Sequence, residues 1–107
     1  MVFTTLANES DALSFVEELV GRRLIACGTI LPARSVYRWE GRVTNETEAL
    51  VMLKSRRGRL KELMDAASQR HPYDVPEVLA VPVEDGLPDY LQWMMDETRG
   101  GDGEPLE

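Results

Sequence analysis

The chain has one cysteine, one histidine and a shortage of basic residues, and each scarcity excludes a class of protein. A single cysteine, Cys27, cannot form an internal disulfide, and with a single histidine, His71, one copy of the chain cannot build a zinc finger. Lys and Arg number 12 against 19 Asp and Glu. The resulting net charge of -7 argues against a nucleic-acid partner and against an anionic membrane surface.

Long apolar runs and targeting signals are also missing. No stretch approaches the roughly 20 apolar residues of a membrane-spanning helix, and the first residues, MVFTTLANESD, lack the basic and apolar regions of a secretory signal. We therefore expect a cytoplasmic protein without a membrane partner. With 107 residues, 43% of them hydrophobic, the chain is long enough for one domain with a two-layer core.

The most unusual stretch runs from Ile25 to Arg56 and predicts one long β-hairpin. Its first half, Ile25 to Trp39, is rich in β-branched and aromatic residues, its second half runs from Glu46 to Ser55, and Gly41 and Asn45 supply turn chemistry between them. At about 3.3 Å per residue a straight first half would reach about 50 Å. A compact chain of this length has a radius of gyration of only about 13 Å.

Such a hairpin must bend or project from the domain. Pro32 has no backbone N–H to donate, so it confines the first half to a sheet edge or a bulge. A projecting ribbon also exposes unpaired strand edges, which invite pairing with another chain. The sequence therefore predicts an obligate oligomer.

The remaining periodicities complete the order β-α-β-β-α-β with a terminal helix. Strands are predicted at Val2 to Leu6 and Val78 to Val83. Helices are predicted at Asp11 to Arg23, from about Leu60 until Pro72, and at about Asp89 to Glu97. In the last helix Tyr90, Leu91 and Met94 are expected to face inward. The apolar run 78–83 predicts burial on both faces or at an interface.

This order predicts an α+β, ferredoxin-like split β-α-β fold, in which two helices cover one face of an antiparallel four-stranded sheet. We assign residues 1–98 to this domain. The acidic, Gly-rich tail of residues 99–107 has nothing to bury and is expected to be disordered.

Cys27 and His71 are the two candidate metal ligands. A free cysteine is usually a small buried hydrophobe, but a thiolate also binds Cu(I) or Zn if symmetric copies or His71 complete the site. His71 lies at the end of the second predicted helix, where it could cap the terminal carbonyls. Because the ordinary pKa of histidine is near neutrality, it could instead bind a metal or transfer a proton. The sequence leaves these alternatives open.

Aromatic and basic residues mark two further regions of the predicted hairpin. Tyr37, Trp39 and Glu40 end its first half, where large aromatic residues favour an interface anchor over a ligand stack. A basic cluster lies where the predicted hairpin meets the second predicted helix and consists of Lys54, Arg56, Arg57, Arg59 and Lys61. We interpret these residues as a solvated helix face, and anion binding is the alternative. We find no Gly-rich phosphate loop and no Ser/His/Asp set, so we expect no enzyme.

Four segments in combination are specific to one family. They are RRLIACGTILP, SVYRWEGRV, LKSR and RHPYDVPEVLAVPVEDGLPDYLQWM. From Val2 to about Thr98 the chain resembles the CutA divalent-cation tolerance proteins. The resemblance implies a ferredoxin-like homotrimer whose long hairpins pair with neighbouring subunits, an association with tolerance to copper and other divalent metals, and a fold similar to that of the PII signalling trimers.

The resemblance also implies where ligands bind. Cys27 and His71 occupy the family positions suspected of metal contact, and clefts between subunits would be lined by Trp39, Glu40, Lys54, Tyr73 and Glu77. Many members carry a first-strand Cys before a Pro-Asp turn, where this chain has Thr4 and then Ala7-Asn8. This departure argues against a thiolate-rich copper site. We expect a bound divalent metal, Cu or Zn, that is not required for folding.

Three hypotheses about function follow. The first is a trimeric, metal-responsive binding protein. The second is a structural or interaction trimer that organises an unidentified partner protein. The third is a PII-like sensor of a small anion, in which Lys54 and Arg56 would matter most.

Overall fold

The computed structural model describes residues 1–99, which form a four-stranded antiparallel sheet with three α-helices. The strands are β1 (Val2–Leu6), β2 (Cys27–Trp39), β3 (Arg42–Lys54) and β4 (Val78–Ala80), and the helices are α1 (Glu9–Gly21), α2 (Leu60–Arg70) and α3 (Pro88–Glu97). The sheet order is β2-β3-β1-β4. The predicted ferredoxin-like fold is confirmed. Of the predicted tail, residues 100–107 lie outside the described residues.

One face of the sheet packs against the helices and forms the core. The alternation of side chains along a strand places Val2 and Leu6 of β1 on the same face as Val51 and Leu53 of β3. These side chains are buried with an apolar stripe of α1, consisting of Ala12, Phe15, Val16 and Leu19, and with Leu63, Ala66 and Ala67 of α2. None of the helices in the described part of the chain is long and apolar enough to cross a membrane.

The first helix starts where capping chemistry allows it. Asn8 is the N-cap, in an extended conformation, and its side-chain oxygen accepts a hydrogen bond of 2.8 Å from the Asp11 N–H. This cap satisfies one of the backbone donors that a helix start leaves unpaired. It also fixes the turn that returns the chain from β1 onto the face of the sheet.

The hairpin turn is tighter than the sequence predicted. Trp39 pairs with Arg42, so the loop contains only Glu40 and Gly41, with φ angles of 50° and 78°. Positive φ at both central positions is typical of the two-residue turn whose twist matches the flanking strands. The ladder therefore extends to the end of the hairpin, and Asn45, predicted in the turn, lies within β3.

The hairpin has a base inside the sheet and an arm beyond it. Residues Ala49–Leu53 of β3 pair with both β1 and β2, whereas residues 33–48, which we call the arm, form a two-stranded ribbon. The described chain is correspondingly elongated, with extents of 49 × 27 × 23 Å. Pro32 lies where the arm begins, on the edge strand β2, as predicted.

The C-terminal third departs from the prediction in two ways. β4 ends at Ala80 because its partner β1 starts at Val2. Two further bonds close the ladder, from the Val81 N–H to the Met1 carbonyl and from the Met1 amino group to the Val81 carbonyl. Leu79 is 59% exposed, so the run 78–83 is not buried on both faces within one chain. Tyr90, expected to face inward, is 46% exposed, because α3 contributes no buried side chain to the core. Leu91 and Met94 are partly buried.

Candidate functional site

A groove of about 780 Å³ lies between the arm and the segment that follows α2. The arm supplies Ser35, Val36, Tyr37, Trp39, Glu46 and Glu48, the segment 72–77 supplies Pro72, Tyr73, Asp74, Val75 and Glu77, and β1 supplies Thr5. We call this the acidic groove. Its volume is within the range of small-molecule sites.

Two tyrosine–glutamate hydrogen bonds order the groove. The Tyr37 hydroxyl donates to Glu46, a diagonal neighbour across the ribbon, at 2.5 Å, and the Tyr73 hydroxyl donates to Glu48 at 3.2 Å. Burial, followed by the charge of Glu48 and its hydrogen bond, raises the pKa of Tyr73 to about 12. The hydrogen bond to Glu46 is the main cause that raises the pKa of Tyr37. Both hydroxyls therefore remain donors at neutral pH.

The groove concentrates negative charge without a counterion from residues 1–99. Its four carboxylates are Glu46, Glu48, Asp74 and Glu77, and none of them forms an ion pair within residues 1–99. By contrast, Glu18 on α1 pairs with Arg70 at 2.6 Å. An unpaired set of carboxylates beside aromatic side chains attracts cationic groups.

His71 stabilises the floor of the groove. The residue is 7% exposed, its Nε2 lies 2.7 Å from the Thr5 carbonyl oxygen, and its Nδ1 accepts a hydrogen bond of 3.2 Å from the Tyr73 N–H. Because Nδ1 is an acceptor, the proton is on Nε2, which donates to Thr5. Both ring nitrogens are engaged, so in this conformation His71 has no lone pair to offer a metal.

The predicted capping role of His71 is fulfilled only by its backbone. Its N–H donates to the Ala67 carbonyl and ends α2, while the ring reaches across to β1. The ring also makes edge contacts with Phe15 and Tyr73, at centroid distances of 6.4 and 4.7 Å. His71 therefore ties α1, α2 and β1 to the segment that lines the groove.

Cys27 lies at the other end of the hairpin from the groove. It pairs with Lys54 across β2 and β3, its Sγ lies 3.8 Å from the Lys54 Nζ, and Lys54 also donates to the Thr29 hydroxyl. Cys27 and His71 thus contact different neighbours and do not form a shared site in one chain. No three His, Cys, Asp or Glu side chains of residues 1–99 are placed to hold a metal ion together.

The structure brings together three of the five predicted cleft residues. Trp39, Tyr73 and Glu77 line the acidic groove, whereas Glu40 is in the hairpin loop and Lys54 is at the base beside Cys27.

Glu46, Glu48 and Asp74 also line the groove and were not predicted from the sequence. Glu46 and Glu48 are two residues apart on β3, and this spacing indicates that their side chains lie on the same face of the strand. Placing that face beside Tyr37 requires the register of the two-residue turn, which was predicted wrongly.

The basic cluster holds the C-terminal helix to the domain. Arg59 is 6% exposed and donates to the Thr98 carbonyl and to Glu62, each at 2.8 Å, and Arg56 donates to the Thr98 carbonyl and hydroxyl. A solvated helix face was therefore the wrong interpretation for these two arginines, although Arg57 is exposed. Since Lys54 and Arg56 are bonded to their own chain, the anion-sensor hypothesis gains no support from them.

The chain is similar in sequence to proteins of one family. The model of the CutA1 divalent ion tolerance protein family matches residues 1–97. The divalent-cation tolerance protein CutA of Pyrococcus horikoshii is 36% identical over 99 residues, which are 92% of this chain and 97% of that protein. A chloroplastic protein CutA of Arabidopsis thaliana is 37% identical over 100 residues, 92% of this chain, although the chain spans only 55% of that longer protein.

The same family appears among solved structures. The crystal structure of CutA1 from Oryza sativa superposes with a TM-score of 0.89 at 36% identity and covers 94% of this chain and 93% of that chain. Sequence similarity and fold similarity therefore agree over nearly all the described residues.

Proposed function

Since the chain belongs to the CutA1 divalent ion tolerance family, we propose that it is a homotrimeric, non-enzymatic protein that binds a divalent cation between its subunits. The observation that carries this proposal is the arm, because a two-stranded ribbon with exposed apolar residues is marginally stable on its own. Val36, Trp39 and Val43 are 68%, 48% and 70% exposed. Assembly would remove these side chains from water.

A closed ring of subunits gives every arm a partner. Covering one such apolar side chain fully would stabilise the assembly by about 1.5–3 kcal/mol. The choice of a trimer over another ring rests on the family resemblance, and the arm supports only the need for assembly.

Cys27 is the residue best placed to join a metal site between subunits. It lies on the edge strand β2, on the sheet face opposite the core together with the partly buried apolar residues Leu31 and Met52. Another subunit that covers this edge or face would come close to the thiol. A thiolate is a soft ligand that favours Cu(I) and Zn(II), and oxygen ligands from a second copy would complete the coordination.

The proposal is tested by titrating metal-free protein with Zn(II) and Cu(II) in a calorimeter, in parallel on wild type, Cys27→Ser and His71→Gln proteins. Sedimentation of each sample establishes its mass relative to the 12.1 kDa chain. We expect a trimer, metal binding that Cys27→Ser weakens at least ~10-fold, and a retained affinity in His71→Gln because that ring is already engaged. A monomeric wild type, or unchanged metal affinity without the thiol, contradicts the proposal.

A second candidate function, an interaction trimer, is favoured by α3. The rings of Tyr90 and Trp93 contact each other in a tilted arrangement, with 5.5 Å between their centroids and an interplanar angle of 37°. Each is more than 40% exposed, and Leu87 at the start of the helix is 79% exposed. Exposed aromatic side chains beside an apolar residue are typical of protein interfaces. If this function alone applies, Cys27→Ser changes stability without changing any ligand affinity.

A further inference from the structure

The arm carries mainly carboxylates on one face and arginines on the other, with Arg42, which pairs with Trp39, as an exception on the carboxylate face. Tyr37, Trp39 and Glu46 line the acidic groove on one face. Because side chains alternate along a strand, Arg34 and Arg38 lie on the opposite face, where Val43 pairs with Arg38. We call this second surface, formed by Arg34, Arg38, Val43 and Asn45, the basic face of the arm.

The arginines of the basic face and the carboxylates of the groove form no ion pairs in the part of the chain that the structure describes. Neither Arg34 nor Arg38 forms an ion pair within residues 1–99. The Arg34 Nη1 donates to the Asn45 side-chain oxygen at 2.9 Å, and the Arg38 Nη1 lies 3.5 Å from the Gly41 carbonyl oxygen. Both guanidinium groups are on exposed residues and retain free donors for a carboxylate.

From this arrangement we infer that the acidic groove of each subunit is completed by the basic face of a neighbouring subunit's arm. Guanidinium groups match carboxylates in geometry and also stack on aromatic rings, and the groove offers both kinds of partner. Glu46 and Glu77 are exposed at the groove and therefore accessible to Arg34 or Arg38 of another copy. The occupant is thus a second copy of this chain.

The two-faced arm also determines the kind of symmetry. A two-fold interface needs a surface that is complementary to itself, whereas here one face of the arm is complementary to the other. Contacts between unlike faces repeat from copy to copy and form a closed ring when the rotation between neighbouring copies closes, as it would in the proposed trimer. This inference rests on the proposed assembly and adds to it the contact that drives the ring and the arginines that complete each groove.

A charge-swap series tests the inference, with sedimentation equilibrium as the readout. We expect Arg34→Glu/Arg38→Glu to raise the concentration at which the trimer dissociates at least ~10-fold, because like charges then meet in the groove. Glu46→Lys/Glu77→Lys should have the same effect. Combining all four substitutions in one chain should restore the trimer, since the substituted residues of neighbouring subunits again carry opposite charges.

Arg57→Glu is the matched control, because it reverses an exposed arginine outside the arm and should leave the trimer intact. A wild-type trimer that neither double variant weakens, or a quadruple variant that stays dissociated while its circular dichroism is native, overturns the inference and leaves the proposed assembly standing. A monomeric wild type overturns both.

A cross-linking measurement provides a second test that does not depend on weakening the assembly. Arg38→Lys keeps the positive charge and provides an amine that a carbodiimide can couple to a neighbouring carboxylate. In protein refolded from mixed ¹⁴N and ¹⁵N chains, we expect heavy–light peptide pairs that join position 38 to a groove carboxylate. Coupling confined to pairs from one chain, or only to carboxylates outside the groove, contradicts the inference.

Discussion

The base and the arm of the hairpin share one continuous ladder but differ in what stabilises them. At the base, β3 has a partner on each side, and Val51 and Leu53 are fully buried. Along the arm each strand has a single partner, and Val36 and Val43 are about 70% exposed. The pairing of β2 with β3 is therefore the same in both parts, and the base gains its additional stability from the second partner of β3 and from the core. The arm can gain comparable burial only from other chains.

The largest expected effect comes from truncating one apolar residue in each part. Leu53→Ala should lower the free energy of unfolding by about 3 kcal/mol, because it leaves a cavity in the core. Val43→Ala should change the stability of the chain itself by less than ~0.5 kcal/mol and should instead weaken assembly. Urea unfolding measures the first quantity and sedimentation over a range of concentrations measures the second. Similar losses of chain stability in both variants would remove the distinction between base and arm.

High pH should disturb the groove, which the arm forms with the segment that follows α2. Tyr73 has a pKa of about 12 in the folded chain against about 10 when unfolded. The folded state thus binds more protons between these values, so this contribution to stability is complete below pH ~10 and is lost as the pH rises towards ~12. The free energy of unfolding, measured across this pH range, should fall less steeply for Tyr73→Phe than for wild type. An equal slope would mean that the hydroxyl has no role in the pH dependence.

One substitution should strengthen the base. The Thr4 hydroxyl is fully buried on β1 and has no hydrogen-bond partner within the described residues. Replacing it by the methyl group of Thr4→Val removes the desolvation cost while keeping the shape, which should stabilise the chain by about 1 kcal/mol. Thr5→Val, on the other face of the same strand, is a comparison variant. A lower melting temperature for Thr4→Val would contradict this assignment.

The smallest expected effect is at the tip of the arm. Glu40 adopts a φ of 50°, a conformation that asparagine tolerates better than glutamate. Glu40→Asn should therefore stabilise the turn by about 0.5 kcal/mol. Thermal unfolding of this variant against Glu40→Gln, which removes the same charge without easing the positive φ, isolates the backbone effect. No gain relative to that control would show that the tip conformation is not under strain.

Much of the fold could be predicted because it is encoded in local patterns. The strand Val2–Leu6, the apolar stripe of α1 and the edge position of Pro32 each follow from the side-chain period or from backbone chemistry. The end of β4 could not be predicted in this way, because it is determined by the length of β1, a distant partner.

The candidate site was less predictable than the fold for the same reason. The acidic groove depends on the register between two strands and on a segment that follows α2. The burial of Arg59 likewise could not be predicted, because it depends on a contact with Thr98, which is 39 residues away in the sequence. His71 was predicted as a metal ligand or a helix cap. Its two side-chain hydrogen bonds, with Thr5 and Tyr73, could not be predicted from a sequence pattern.

The central position of β1 has a consequence for synthesis on the ribosome. β1 pairs with β3 and β4, and the amino group of Met1 donates to the Val81 carbonyl at 2.8 Å. β1 therefore obtains its last partner only after the chain has been extended by about 75 further residues, from Leu6 to Val81, which at about 5–20 residues per second takes several seconds. During that interval one edge of β1 is open, so the nascent chain is most exposed to misassociation before residue 81 emerges.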